Sequence, residues 1–263
     1  LRGFILNLEF SMKFSEMTWP EVRQIDRNRT LVLAPIAACE QHSRHLPTFT
    51  DSILCGAVAD RVEANLPDRV LLVPLQWLGA SDHHLPFGAT LSATLDTHIT
   101  MLCEILTALL DDGFPRVMIL NGHGGNIDTL HVALRRLQPR YQRSLLTGAS
   151  YWELAEREIA DLCDGPRKSV GHACEVETSM VMHLRPDLVR TKEIADDVET
   201  VPDALRGLFV AKDMHQRTDH GAVGYPERAT ADKGAKILNA IVSRVTEVVH
   251  GILREALPEA SRV

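Results

Sequence analysis

The chain lacks the features that mark several broad protein classes. Its five cysteines, Cys39, Cys55, Cys103, Cys163 and Cys174, are odd in number, and none falls in a CxxC pair. That argues against a disulfide framework or a zinc knuckle. Each is expected to be a small buried apolar residue in a reducing, cytoplasmic compartment. No run of about 18 apolar residues occurs, so no membrane span is expected. Basic residues are not in excess: 28 Lys+Arg against 35 Asp+Glu give a formal net charge of −7. That is the wrong balance for a nucleic-acid binder. Internal repeats and low-complexity segments are absent. So are the GxxxxGK[ST] and GxGxxG phosphate loops, the HExxH zinc helix and the G-x-S-x-G serine elbow.

What is present is the profile of a globular protein, with 263 residues, 45% hydrophobic and 24% charged. That length suits one large domain with a sizeable core. Residues 1–11 (LRGFILNLEFS) carry an apolar patch too short for a signal peptide and no small-residue cleavage site. Met12 opens a more ordinary start. Residues 1–11 are therefore expected to be an alternative start or an expression remnant, and 12–263 a single domain.

Short apolar runs alternate with helical patterns. Strands are predicted at Leu31–Ala37, Val70–Leu75, Arg116–Leu120 and Ser144–Ala149. Helices are predicted at Ser52–Leu66, Asp96–Leu110, Ile127–Leu137, Tyr151–Cys163 and Ala231–Leu257, with another running to about Leu184. Such alternation implies an α/β fold with a mostly parallel sheet covered on both faces. Residues 196–230, with Pro202, Gly207, Gly221, Gly224 and Pro226, read as a long loop beside a site.

Three segments carry candidate chemistry, each at a strand end or helix start, where open α/β sheets bind ligands. In Glu40-Gln41-His42, the carboxylate and imidazole are two residues apart, so extended backbone points both to one side. Asp51 either caps the next helix or returns to the same pocket to bridge two ions. In Asn121-Gly122-His123-Gly124-Gly125-Asn126, glycines flank a histidine at a sheet edge and let the backbone approach a ligand. In Gly171-His172-Ala173-Cys174-Glu175-Val176-Glu177, either glutamate is a possible ligand or a partner of the helix dipole. This mix of nitrogen and oxygen donors suits Zn²⁺ or Mn²⁺.

Together with Gly79–Ser92 (GASDHHLPFGATLS) and Gly221–Gly234, these motifs resemble the creatininase family, the creatinine amidohydrolases, over residues 13–257. The resemblance implies a three-layer αβα sandwich and two divalent metal ions, Zn and/or Mn, with Fe a further option. It implies Glu40, His42, Asp51, His123 and Glu177 as ligands, Asp51 bridging, and it favours Glu177 over Glu175. It gives His172 a part in the chemistry beside the metals, with Glu177, and a hexameric assembly. The implied reaction is hydrolysis of a C–N amide bond in a cyclic amide, formamide or short peptide, by hydroxide held between the metals. No nucleic-acid or membrane partner is implied.

This chain departs from the creatinine-cleaving pattern. It has NGHGGN where those enzymes have NGHYEN, and Lys168 where they have tryptophan. Creatinine is therefore not the expected substrate. Candidate substrate contacts are His84, Gly124, Gly125, Trp152 as an aromatic wall, and Arg44, which replaces part of a Gly-Pro pair and could hold an anionic group. Two rival readings stay open: the same site acting on a sugar-derived cyclic ketone or lactone, and a non-catalytic metal-binding protein.

Overall fold

A computed structural model describes residues 11–205 and 207–259. Residues 1–10, and with them nearly all of the proposed alternative start, lie outside the described residues. Four strands form one sheet: β1 (Leu31–Ile36), β2 (Val70–Leu72), β3 (Arg116–Asn121) and β4 (Leu145–Ser150). All pairings are parallel, in the order β2-β1-β3-β4. The helices are α1 (Trp19–Gln24), α2 (Thr50–Asn65), α3 (Leu95–Asp111), α4 (Ile127–Leu137), α5 (Tyr151–Leu154), α6 (Glu156–Leu162), α7 (Glu175–Leu184) and α8 (Ala231–Arg254).

The two-residue period of a strand divides the core between the two sheet faces. Leu31 and Leu33 of β1 and Met118 and Leu120 of β3 pack with α2, α5, α6, α7 and α8. Val32, Ala34 and Ile36 of β1 and Val117 and Ile119 of β3 pack with α1, α3 and α4. Every residue of β1 and β3 is buried. Strands covered on both faces read as continuous apolar runs, which is why the sequence displayed them plainly. The expected α/β sandwich is the fold observed.

Most boundaries fall within two residues of expectation, and three elements differ by more. β2 ends at Leu72 and not Leu75, because Pro74 has no N–H to continue a ladder. The helix expected over 151–163 is two, broken at Ala155 (φ −118°, ψ 26°). The last helix stops at Arg254, where Glu255 turns extended (φ −66°, ψ 140°), short of the expected Leu257.

β1 and β3 are central neighbours, yet the chain leaves them in opposite directions, β1 toward β2 and β3 toward β4. That reversal opens a crevice at their carboxyl ends. The 196–230 segment returns to this crevice. It is pinned by bridge pairings of Asp197 with Gly224 and of His172 with Val223.

Candidate metal centre

The crevice is a cavity of about 930 Å³. Glu40 and His42 follow β1, Asp51 lies in the first turn of α2, His123 follows β3, and Glu177 lies in the first turn of α7. All five are buried. Asp51 stands between two groups. Its Oδ1 is 3.0 Å from His42 Nε2, and its Oδ2 is 3.0 Å from His123 Nδ1. Glu177 Oε1 approaches His42 Nε2 at 3.9 Å, and Glu40 Oε1 approaches His123 Nδ1 at 3.2 Å. His172 and His84 complete the wall, with His172 Nδ1 3.5 Å and His84 Nε2 3.4 Å from Glu40 Oε1.

These short distances are not hydrogen bonds. Among the described residues, both Glu40 oxygens, Asp51 Oδ2 and His42 Nε2 are buried without a hydrogen-bond partner. The outer nitrogens explain why. His42 Nδ1 faces the Glu40 carbonyl at 3.2 Å. His123 Nε2 faces the Ala80 carbonyl at 3.2 Å and Ser81 Oγ at 3.1 Å. A carbonyl only accepts, so each outer nitrogen is the protonated one and each inner nitrogen keeps its lone pair. Lone pairs of two imidazoles thus face carboxylates across about 3 Å. Such a buried array is unfavourable unless a cation joins it. Histidines that anchor one nitrogen on a carbonyl and offer the other are a recurrent feature of metal sites. The donor set therefore fits divalent cations. Three overlapping groups bring ligand atoms within 4.8 Å: Glu40/His42/Asp51, His42/His172/Glu177 and Glu40/His84/His172.

Without a cation the field of the carboxylates recruits protons. Burial works against a charge on His123, but Glu40 and Asp51 outweigh it and lift its pKa to about 10. Burial likewise opposes charge on His42, and Asp51 and Glu177 overcome it, raising its pKa. Burial raises Glu40, with the attraction of His123 only partly opposing it. Asp51 is depressed despite burial because His42 and His123 flank it. His172 is lowered, first by burial and then by His42.

The two glutamates of α7 separate cleanly. Glu177 lines the cavity. Glu175 instead accepts the Asp164 N–H at 2.8 Å and the Gly165 N–H at 2.9 Å, and forms an ion pair with Lys233. Of the expected substrate contacts, His84, Gly124, Gly125 and Trp152 line the cavity. Trp152 also packs edge-on against Tyr151, ring centroids 5.1 Å apart. Arg44 is exposed and outside the lining, so a pocket-facing arginine at that position is not what the fold builds. His83 lines the cavity as well as His84.

The two glycines after His123 differ. A Cβ on Gly124 would meet nothing within 4 Å, whereas one on Gly125 would stand 2.2 Å from the Ala80 carbonyl and 2.5 Å from His123 Nε2. Gly124 leaves space in the cavity; Gly125 permits the His123–Ala80 contact.

Several lining residues leave no signal in the sequence. Arg167, Glu199, Phe209, Lys212 and Arg217 reach the cavity from loops with no periodicity to read. Ser81 and Gln41 lie inside recognisable motifs, but only the folded contacts show what they touch.

Buried imidazole and carboxylate donors at an α/β switch point place the protein in the class of metal-dependent hydrolases. The creatininase family profile, described as creatinine amidohydrolase, matches residues 15–249, and the chain belongs to that family. The mycofactocin precursor peptide peptidase of Mycolicibacterium smegmatis is 30% identical over 231 residues, covering 84% of this chain and 85% of the relative. The creatinine amidohydrolase of Pseudomonas putida is 26% identical, covering 94% and 98%. A crystal structure of creatinine amidohydrolase (creatininase) superposes with a TM-score of 0.80 at 23% identity, covering 94% of this chain and 99% of the other.

Proposed function

We propose that Glu40, His42, Asp51, His123 and Glu177 hold two divalent cations, Zn²⁺ or Mn²⁺, with Asp51 shared between them, and that this site hydrolyses a C–N amide bond. When bound, such cations acidify water and polarise a carbonyl oxygen. The observation that carries the reading is the set of buried carboxylate oxygens and imidazole lone pairs that face one another without hydrogen bonds.

The protein's own groups do the rest. His172 donates from Nε2 to the Gln41 carbonyl at 2.7 Å, which leaves Nδ1 as a proton acceptor on the cavity side. It takes a proton from the attacking water and returns it to the departing nitrogen as the C–N bond breaks. Trp152 and the open space at Gly124 shape the substrate side. A cavity of about 930 Å³ with no side chain at position 124 favours an extended amide, such as a short peptide, over a compact ring. The similarity to a precursor-peptide peptidase points the same way.

Metal content per chain, measured on protein purified without chelator, tests the assignment together with His123→Ala and Asp51→Ala. Both variants should lose metal and turnover together. Turnover that persists in metal-free protein would refute it. A panel of formamides, cyclic amides, tripeptides and sugar lactones tests the bond, and preference for a lactone would overturn the amide reading. We also propose a homo-oligomer, hexameric by family resemblance, to be checked by light scattering.

A further inference from the structure

Gln41 sits between two cavity histidines, and its bonds decide which nitrogen of each carries the proton. The Ser43 N–H donates to Gln41 Oε1 at 2.9 Å, which fixes the orientation of the amide. Gln41 Nε2, with two protons to give, has three neighbours: the Gly221 carbonyl at 3.2 Å, His84 Nδ1 at 2.8 Å and His172 Nε2 at 3.2 Å. His172 Nε2 already donates to the Gln41 backbone carbonyl, so it accepts nothing. The two amide protons therefore go to Gly221 and His84. Gly221 is built for this seat. Its φ is +81°, and a Cβ there would stand 2.3 Å from Gln41 Oε1.

Since His84 Nδ1 accepts, the ring is neutral and its proton is on Nε2. That N–H points at the reaction space. It lies 3.4 Å from Glu40 Oε1, yet Glu40 Oε1 has no hydrogen-bond partner among the described residues, so the donor is not consumed there. His172, with its ring centroid 4.5 Å away, has the opposite polarity and offers a lone pair. The cavity thus presents one donor and one acceptor side by side.

We propose that His84 is a catalytic hydrogen-bond donor to the carbonyl oxygen of the amide under attack, that Gln41 is the positioning residue holding it in the Nε2–H tautomer, and that His84 is therefore not a metal ligand. This rests on the amide-hydrolase reading above. It also decides against a third ion at Glu40, His84 and His172, which are close enough to form one. A preorganised N–H aimed at a developing oxyanion is worth about 10²–10³ in kcat.

The test uses the zinc-loaded chain with ¹⁵N-labelled histidine. Long-range ¹H–¹⁵N correlations should show His84 protonated on Nε2, with two zinc ions per chain. A proton on Nδ1, or the signature of a metal-bound Nε2, would overturn the proposal. Gln41→Glu places an acceptor against His84 Nδ1 and should move the proton there. Its kcat on the preferred amide of the panel should fall by about 10²–10³-fold with KM little changed and two zinc ions retained. An unchanged kcat would refute the positioning role. His84→Gln, which keeps an N–H to donate, should retain more kcat than His84→Ala, and equal losses would count against a donor. If Gln41→Glu fails to fold, the wild-type spectrum still decides. A wild-type chain that binds neither zinc nor manganese defeats the proposed function and this inference with it; a wrong tautomer in an active two-metal enzyme defeats this inference alone.

Discussion

Glu175 and Glu177 stand two residues apart in the first turn of α7, both buried, and their surroundings are opposite in kind. Around Glu175 the polar groups find partners: two backbone N–H groups and the Lys233 ammonium, which also bonds Asp164 at 2.7 Å and the Arg228 carbonyl at 2.7 Å. Glu177 keeps a single such bond, its Oε2 accepting the Cys174 N–H at 3.3 Å, while its neighbours Glu40, Asp51 and His42 turn acceptors toward one another. The first cluster spends its charge on holding α7, α8 and the 164–165 turn together. The second leaves its charge unspent and ready for a ligand. Burial alone does not distinguish a structural carboxylate from a functional one; the supply of protons around it does.

Exchanging the roles of the two glutamates breaks the comparison most sharply. Glu177→Gln should lose metal and reduce turnover by more than the about 10³-fold cost of a single oxyanion donor, with the fold intact by circular dichroism. If metal content and activity survive, Glu177 is not a ligand. Lys233→Met should do the reverse. It strands a buried carboxylate and should lower unfolding free energy by on the order of 3 kcal/mol in urea titration, while metal content stays at the wild-type value.

The pH dependence sharpens the contrast at the unspent cluster. In the metal-free chain the Glu40 and Asp51 carboxylates, overcoming burial, raise His123 from an ordinary 6.5 to about 10. Its contribution to stability is therefore complete below pH 6.5 and is lost as pH rises toward 10. A bound cation takes the place of that proton. The gain in unfolding free energy on adding zinc should grow between pH 6.5 and 8.5, by up to about 1.4 kcal/mol per pH unit for one proton. A gain flat in pH would mean that metal and proton do not compete for His123.

Smaller effects follow further from the cations. Ser81→Ala removes a partner of His123 Nε2 but leaves the Ala80 carbonyl, and should weaken zinc affinity about tenfold in a chelator competition. Ser43 is held at φ +57°, a left-handed conformation unfavourable for a residue with a Cβ. Ser43→Gly should raise stability by about 0.5–1 kcal/mol, with the extra backbone freedom of glycine offsetting part of the relief. No gain in melting temperature would show that the strain is relieved elsewhere.

What the sequence displayed, and what it hid, follow the same physics. β1 and β3 were readable because strands buried on both faces must be apolar throughout. Glu40, His42, Asp51 and His123 were readable as candidates because each sits at a strand end or helix start. Spacing could not choose between Glu175 and Glu177, since the choice depends on Lys233, nearly sixty positions away. Arg44 looked available for a pocket, but its side chain is exposed while Gln41 and His42 on the same short segment turn inward. The part played by Gln41 was hidden as well, because it needs Gly221 to close over it from the far end of the chain.

The pairings of Asp197 with Gly224 and of Val223 with His172 have an evolutionary consequence. They clamp both ends of the stretch that contributes Glu199, Phe209, Lys212 and Arg217 to the cavity rim. Between those clamps, Gly221 and its seat for Gln41 excepted, the rim is a cassette. Its length and chemistry can be exchanged to suit a new substrate while the hinge points, and the imidazole they brace, keep their places.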